Sequence, residues 1–135
     1  MDIEKSTYQE LCGLKKFHIP TFEEVLKLVN GKVPLLIEFK QRDRVGEFER
    51  NAMNILSNYK HEFAIQSFNY KTVYWFKKNY PDVLRGQLSY NYNGRNILWI
   101  KKYIFSNMLF NVITKPNFIS YKYNQLSINK INKYK

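Results

Sequence analysis

The chain has 135 residues, of which 44% are hydrophobic and 24% charged; this composition is typical of a globular protein and argues against an intrinsically disordered one. A single cysteine, Cys12, excludes an internal disulfide and fits a reducing compartment. No apolar run reaches the ~18 residues of a membrane span, and the N-terminus lacks a signal-peptide pattern, so we expect a cytoplasmic protein.

The net charge of +11 is distributed unevenly. Residues 1–82 hold 13 lysines and arginines and all 11 acidic residues, whereas residues 83–135 hold nine basic residues and no acid. This asymmetry favours one alternative function, a non-catalytic α/β module that binds an anionic partner through its basic C-terminal half. The basic residues are scattered, however, and a bias toward Asn, Lys, Tyr and Ile explains them equally well. No nucleic-acid partner is therefore expected.

Two helix starts are predicted near the N-terminus. Thr7 with Glu10 has the spacing of a capping box, and Gly13 is expected to end that first turn. Thr21 with Glu24 repeats the same spacing before a helix that we expect to reach about residue 30, with Gly31 after it.

The central stretch is a predicted strand over about 33–40. Its short apolar run is typical of a strand buried on both faces of a parallel sheet. Because side chains alternate along a strand, Leu36, Glu38 and Lys40 share one face. A carboxylate and an ammonium thus project together near the C-terminal end, where parallel α/β proteins bind ligands.

The rest of the chain alternates between helical and strand patterns. Strands are predicted over 63–68, 83–88 and 118–121, and helices over 46–60, 70–79 and 97–113. This order indicates consecutive right-handed βαβ units, hence an α/β fold. The four strands fit either a small open sheet or half of an eight-stranded barrel, and sequence period does not decide between them. No glycine-rich loop follows a strand, so no dinucleotide or Walker-type site is suggested.

Several segments resemble the glycerophosphodiester phosphodiesterase family, in particular the form found in low-GC Gram-positive bacteria. They are Ile-Pro-Thr-Phe-Glu-Glu-Val-Leu (19–26), Gly-Lys-Val-Pro-Leu-Leu-Ile-Glu-Phe-Lys (31–40), Phe-Ala-Ile-Gln-Ser-Phe-Asn (63–69), Arg-Gly-Gln-Leu-Ser (85–89) and 108–121. The resemblance implies a partial TIM-type (β/α)₈ barrel of about four β/α units. It also implies a role in lipid metabolism, the metal-assisted hydrolysis of glycerophosphodiesters to glycerol 3-phosphate and an alcohol. We expect residues 1–121 to form this domain and 122–135 a basic tail.

The resemblance covers only the middle and later part of the family's barrel. The family's initial His-Arg strand, its Glu-x-Asp metal ligands and its His-Asp motif have no match, and His18 and His61 stand in other contexts. We therefore expect a truncated, weakly active or inactive fragment, which leaves its standing as an enzyme open. A half-barrel also has unpaired strand edges, so self-association is expected.

Four side chains are candidate site residues. By resemblance, Glu38 is a ligand of a divalent metal, Mg²⁺ or Ca²⁺, which this chain alone is not expected to hold. Lys40 is the catalytic lysine that faces the substrate phosphate, and Gln66 and Phe68 line the substrate site. The alternative for Glu38 and Lys40 is mutual neutralisation at the sheet rim, and for Gln66 and Phe68 ordinary strand packing. Gly86 indicates a close backbone approach at the third strand.

Overall fold

The computed structural model describes residues 6–13, 19–40, 44–92 and 96–125. Within these ranges there are six α-helices, α1 (Tyr8–Cys12), α2 (Phe22–Val29), α3 (Glu47–Leu56), α4 (Tyr70–Asn79), α5 (Trp99–Ser106) and α6 (Asn111–Thr114), and one 3-10 helix (Tyr123–Gln125). The same ranges contain four strands, β1 (Leu35–Phe39), β2 (Phe63–Ser67), β3 (Leu84–Ser89) and β4 (Phe118–Tyr121). The chain divides into two compact units, Met1–Val33 and Pro34–Lys135. Within the described ranges, none of the helices combines the length and the apolar character that crossing a membrane requires.

The first unit contains two capped helices. Thr7 and Glu10 form a capping box at α1, which Gly13 ends, and Thr21 and Glu24 form another at α2, as predicted. The C-cap of α2 is Asn30 rather than Gly31, with a left-handed φ of 42°. Asparagine tolerates this conformation better than other non-glycine residues, so the helix ends one residue before the predicted glycine.

The second unit is built on a four-stranded parallel sheet in the order β1-β2-β3-β4. Consecutive strands are neighbours, and helices connect them, which confirms the predicted α/β fold of successive βαβ units. In the register of the sheet, Glu38 lies beside Gln66, Gln66 beside Gly86, and Gly86 beside Phe118. Cross-strand neighbours point to the same face, so the register defines both faces of the sheet.

One face of the sheet is covered by helices α3 and α4. Phe39 makes edge-to-face contacts with Phe48 of α3 and Phe76 of α4, with ring centroids 5.6 and 5.0 Å apart. Ile65 and Val73 are fully buried in the same layer. These aromatic and branched side chains form the hydrophobic core of the second unit, and each buried one contributes about 1.5–3 kcal/mol.

A buried glutamate joins α3 to α4. Glu49 accepts hydrogen bonds from the Gly46 N–H, at 2.7 Å, and from the Thr72 hydroxyl, at 2.8 Å. Its carboxylate therefore caps α3 and links it to the first turn of α4. Both hydrogen bonds offset the cost of burying the charge.

The opposite face of the sheet, here called the open face, has partial cover. Its residues are Leu36, Glu38, Ala64, Gln66, Leu84, Gly86, Leu88, Phe118 and Ser120. Leu36 and Leu84 are 56% and 53% exposed. The prediction that β1 is buried on both faces is therefore wrong within the described residues. Helices cover one face of the four-stranded sheet, but four strands are too few to enclose the other face.

The single helix predicted over 97–113 is two helices, α5 and α6. The chain turns between them at Met108, which has a left-handed φ of 49°. This turn places Phe110 in a stack on Tyr70, with 3.7 Å between ring centroids, while the Phe105 carbonyl accepts a hydrogen bond from Ser89 of β3. Both packing contacts favour the break over a continuous helix.

Candidate functional site

Glu38 and Lys40 form an ion pair at the C-terminal end of β1. The Lys40 Nζ lies 2.8 Å from the Glu38 Oε1, and their side chains are 79% and 30% exposed. The predicted shared face is confirmed by this contact. This ion pair is the mutual neutralisation of Glu38 and Lys40 that was the alternative to a substrate site. The Lys40 ammonium is nevertheless exposed to solvent, where an anionic ligand can reach it. The functional roles of both residues stay predictions.

The backbone between these two charges is held by a buried serine of β2. The Ser67 hydroxyl donates to the carbonyl of Phe39 at 2.7 Å and accepts from the Asn69 N–H at 3.0 Å. Ser67 is fully buried. The end of β1 is thereby fixed to the turn that follows β2, which positions the Glu38–Lys40 stretch.

Gln66 lies beside Glu38 in the register and reaches across a glycine. The Ser120 hydroxyl of β4 donates to Gln66 Oε1 at 3.2 Å, although β3 lies between their strands. At β3 the intervening residue is Gly86, and a Cβ there would overlap the ring of Phe118. The predicted close approach at Gly86 is thus made by an aromatic ring rather than by backbone. Because Gly86 of β3 has no side chain, Gln66 of β2 and Ser120 of β4 have room to touch.

Phe68 is the first residue after β2, and its predicted place on the face of Gln66 stays a prediction. It is 37% exposed, and its ring meets that of Tyr90 edge to face at 5.7 Å. The buried Gln87 Nε2 lies within hydrogen-bonding distance of three carbonyl groups, Ser67 at 3.1 Å, Phe68 at 3.3 Å and Leu88 at 3.0 Å. Gln87 therefore holds the end of β2 from which Phe68 projects.

A small cavity adjoins Gln87 and Asn111, among aromatic side chains that include Tyr70 and Phe105. Among the described residues, Gln87 Oε1 and both polar atoms of the Asn111 amide lack hydrogen-bond partners. The cavity has a volume of about 10 Å³, close to the minimum that holds one water molecule. It is too small for a glycerophosphodiester, so the exposed end of β1 and β2 is the better candidate for a substrate site.

Among the described residues, few histidines and carboxylates lie at the C-terminal end of the strands, where Lys40 is found. His61 precedes β2, at the opposite end of the strands from Lys40, and its ring contacts Tyr59 edge to face at 5.1 Å. His18 lies outside the described residues. In the ranges that the structure covers, no group of three or more His, Cys, Asp or Glu residues could hold a metal.

The basic C-terminal half contributes one arginine to the interior instead of the surface. Arg85 is buried, and its guanidinium donates to the carbonyls of Pro81 and Lys115 at 3.0 Å and Val83 at 3.4 Å. Because its charge is used to tie β3 to the segment before β4, it is not available to an anionic partner. The residues 126–135 of the predicted tail lie outside the described part.

The structure brings three of the four predicted site residues to one edge of the open face, namely Glu38, Lys40 and Gln66, with Phe68 projecting beyond β2. Sequence reasoning missed Ser120, Ser67 and Gln87. Ser120 lies two residues after Phe118 along β4, so strand period places both on one face, but the contact of Ser120 with Gln66 depends on a register that the sequence does not reveal. The positioning roles of Ser67 and Gln87 depend on the same register.

Comparisons with known proteins gave a structural match. No protein-family model and no curated protein matches the sequence. A crystal structure from Galdieria sulphuraria, described as a "putative glycerophosphodiester phosphodiesterase", matches with a TM-score of 0.72 at 18% identity. The match covers 98% of this chain and 54% of that one, so the chain spans about half the length of the solved TIM-barrel protein. At this identity the match establishes the fold, and it confirms the predicted partial barrel of four β/α units.

Proposed function

We propose that this chain is a glycerophosphodiester phosphodiesterase-like half-barrel that binds the phosphate of a glycerophosphodiester at the C-terminal ends of β1 and β2. The observation that carries the proposal is the largely exposed Lys40 ammonium, held 2.8 Å from Glu38, which itself lies beside Gln66. Ligand sites in barrels lie at this end of the strands. The distant structural match supports the same substrate class.

Each proposed role follows from the chemistry of the side chain. Lys40 supplies positive charge to the phosphoryl oxygens, where negative charge develops during diester cleavage. Gln66 offers an amide to a ligand hydroxyl or phosphate oxygen, and the exposed ring of Phe68 packs against the glycerol or alcohol portion. Glu38 keeps the Lys40 ammonium at the rim until a phosphate competes for it.

A divalent metal is not part of the proposal for this chain alone. Mg²⁺ and Ca²⁺ require several oxygen ligands around one ion. Glu38 is the single carboxylate on the open face, among the described residues, and it is already paired with Lys40. The donors on this part of the chain therefore do not fit a metal, and Glu38 becomes a ligand only if further carboxylates are brought to it.

We also propose that this chain alone hydrolyses diesters weakly or not at all. General acid–base catalysis needs a proton donor or acceptor within hydrogen-bonding reach of the reacting oxygens. His61, at the opposite end of the strands, does not meet this condition. Turnover of glycerophosphocholine that disappears in Glu38→Ala would contradict this part of the proposal.

Phosphate binding is tested by titrating the protein with glycerol 3-phosphate and following backbone amide chemical shifts. We expect saturable shifts at the ends of β1 and β2 that are lost in Lys40→Ala. Lys60→Ala is the matched control, because Lys60 is also exposed but stands before β2, at the other end of the strands. Equal loss in both variants, or no saturable shift, would overturn the proposal.

A further inference from the structure

The contact between Gln66 and Ser120 has the geometry of a closed barrel layer. In the flat register, the residue of β4 in the row of Gln66 is Phe118, and Ser120 lies two residues further on. A barrel of eight strands and shear eight is staggered by one residue per strand, so side chains two strands apart meet when offset by two residues. The hydrogen bond from Ser120 to Gln66 follows this offset.

The same stagger assigns the other open-face residues to layers. Ala64 shares a layer with Phe118, and Leu36 shares a layer with Gly86. Three layers, those of Gln66 with Ser120, Ala64 with Phe118 and Leu36 with Gly86, thus receive one large and one small side chain, whereas the layer of Glu38 and Leu88 receives two large ones. In every case this chain fills two of the four positions that a barrel layer contains. The layers are half filled, and Leu36 is more than half exposed.

We infer that a second copy of this chain closes the barrel around a two-fold axis that coincides with the barrel axis. Rotation about such an axis keeps strand direction, so β4 of one copy pairs in parallel with β1 of the other at both seams. The three layers with one large and one small side chain then alternate large and small residues around the axis, as Ala64, Phe118 and their two symmetry mates do. This alternation is the packing that fills a barrel interior without voids.

The shear of eight also fixes the register at the seam. A shear of eight over eight strands is an offset of four residues over the four strands of one copy. This offset places Ser120 of one copy beside Leu36 of the other, and Lys122 beside Glu38. The second pair joins a cation at the end of β4 to the carboxylate of β1. In the described chain, β1 and β4 each pair with one neighbouring strand. In the dimer the second edge of both strands is paired as well, so the exposed edges of an open sheet disappear.

Sedimentation of the unmodified chain is the first test. We expect a single species of twice the 16.4 kDa chain mass at micromolar concentration. A monomer at about 100 μM would overturn the inference and would favour a different chain segment as the missing half. Heterogeneous aggregates would overturn it too, because a closed barrel has no free strand edge.

A disulfide then tests the seam itself. In a Cys12→Ser background, Leu36→Cys with Ser120→Cys is expected to give a covalent dimer on mild oxidation. Within one chain these positions are three strand spacings apart, about 14 Å, which exceeds the ~7 Å limit for a disulfide. Leu36→Cys with Ile119→Cys is the matched control, because Ile119 points to the other face.

The outcomes separate this inference from the proposed function. A dimer that is not cross-linked by the Leu36/Ser120 pair, or is cross-linked equally by the control pair, would overturn the two-fold barrel. The inference depends on the fold and not on phosphate binding, since neither experiment uses a ligand. A cross-linked dimer that does not bind glycerol 3-phosphate would contradict the proposed function alone.

Discussion

The hydroxyl of Ser67 donates to the carbonyl of Phe39 at 2.7 Å, so a buried side chain of β2 fixes the residue that stands between the two charges of the candidate site. Phe39 is itself buried, with its ring between those of Phe48 and Phe76. The position of Glu38 and Lys40 therefore depends on core packing below them and on one hydrogen bond from the adjacent strand.

Ser67→Ala is expected to lower the free energy of unfolding by about 1–3 kcal/mol, because it removes two buried hydrogen bonds, the one donated to the Phe39 carbonyl and the one accepted from the Asn69 N–H. Urea denaturation followed by circular dichroism measures this change. Ser57→Ala is the control, since the Ser57 hydroxyl also donates to a carbonyl but is exposed; it is expected to change stability by less than about 0.5 kcal/mol. Equal effects in both variants would contradict the role of Ser67.

Gly86→Ala is expected to destabilise the second unit by about 1–3 kcal/mol, the usual cost of overpacking. The added methyl group would overlap the Phe118 ring, which must then move from its place over β3. Truncating the ring in Gly86→Ala/Phe118→Leu should recover part of the loss. A double-mutant cycle on unfolding free energies measures the coupling, and additive effects would show that the loss in Gly86→Ala does not come from overlap with the Phe118 ring.

The contrast between these positions shows what the sequence predicts well. Alternation along β1 and β2 correctly places Glu38 with Lys40 and Gln66 with Ala64, because strand period is a local property. The break at Met108 was missed, since it depends on the stacking of Phe110 on Tyr70, a contact between distant segments. The open face was missed for a similar reason, because the sequence does not say how many strands close around it.

Arg85 illustrates the same limit for charge. As part of a basic half it suggested an anionic partner, but its guanidinium donates to carbonyls inside the fold. Charge counts do not distinguish a buried cation that ties segments together from an exposed one that attracts a ligand. The number of cations that the C-terminal half offers to a partner is therefore smaller than its sequence indicates.

Arg85→Lys is expected to lower the free energy of unfolding by about 2–3 kcal/mol, even though the charge is kept. A lysine ammonium cannot reach the Pro81 and Lys115 carbonyls together in the fork geometry of the guanidinium. Arg50→Lys, at an exposed position of α3, is the control and should be nearly neutral. The measurement is thermal or urea unfolding, and a neutral Arg85→Lys would show that one ammonium satisfies the same carbonyls.

The capping box of α1 predicts a pH dependence at the N-terminus. The pKa of Glu10 is lowered, first by the hydrogen bond that the Thr7 backbone N–H donates to its carboxylate at 2.7 Å and then by the Thr7 hydroxyl at 3.0 Å. A lowered folded-state pKa means that the contribution to helix stability is present above the ordinary glutamate pKa of about 4.3. It is lost as the pH falls through the lower value of the folded state.

NMR titration of the Glu10 side-chain carboxyl carbon measures this pKa in two variants. Thr7→Ala removes the hydroxyl but keeps the backbone donor, so the pKa should rise only part of the way to the ordinary value. Thr7→Pro removes both donors, and the φ of −74° at this position accommodates proline, so the pKa should return fully. A full return in Thr7→Ala would mean that the hydroxyl, and not the backbone N–H, holds the carboxylate in its charged form.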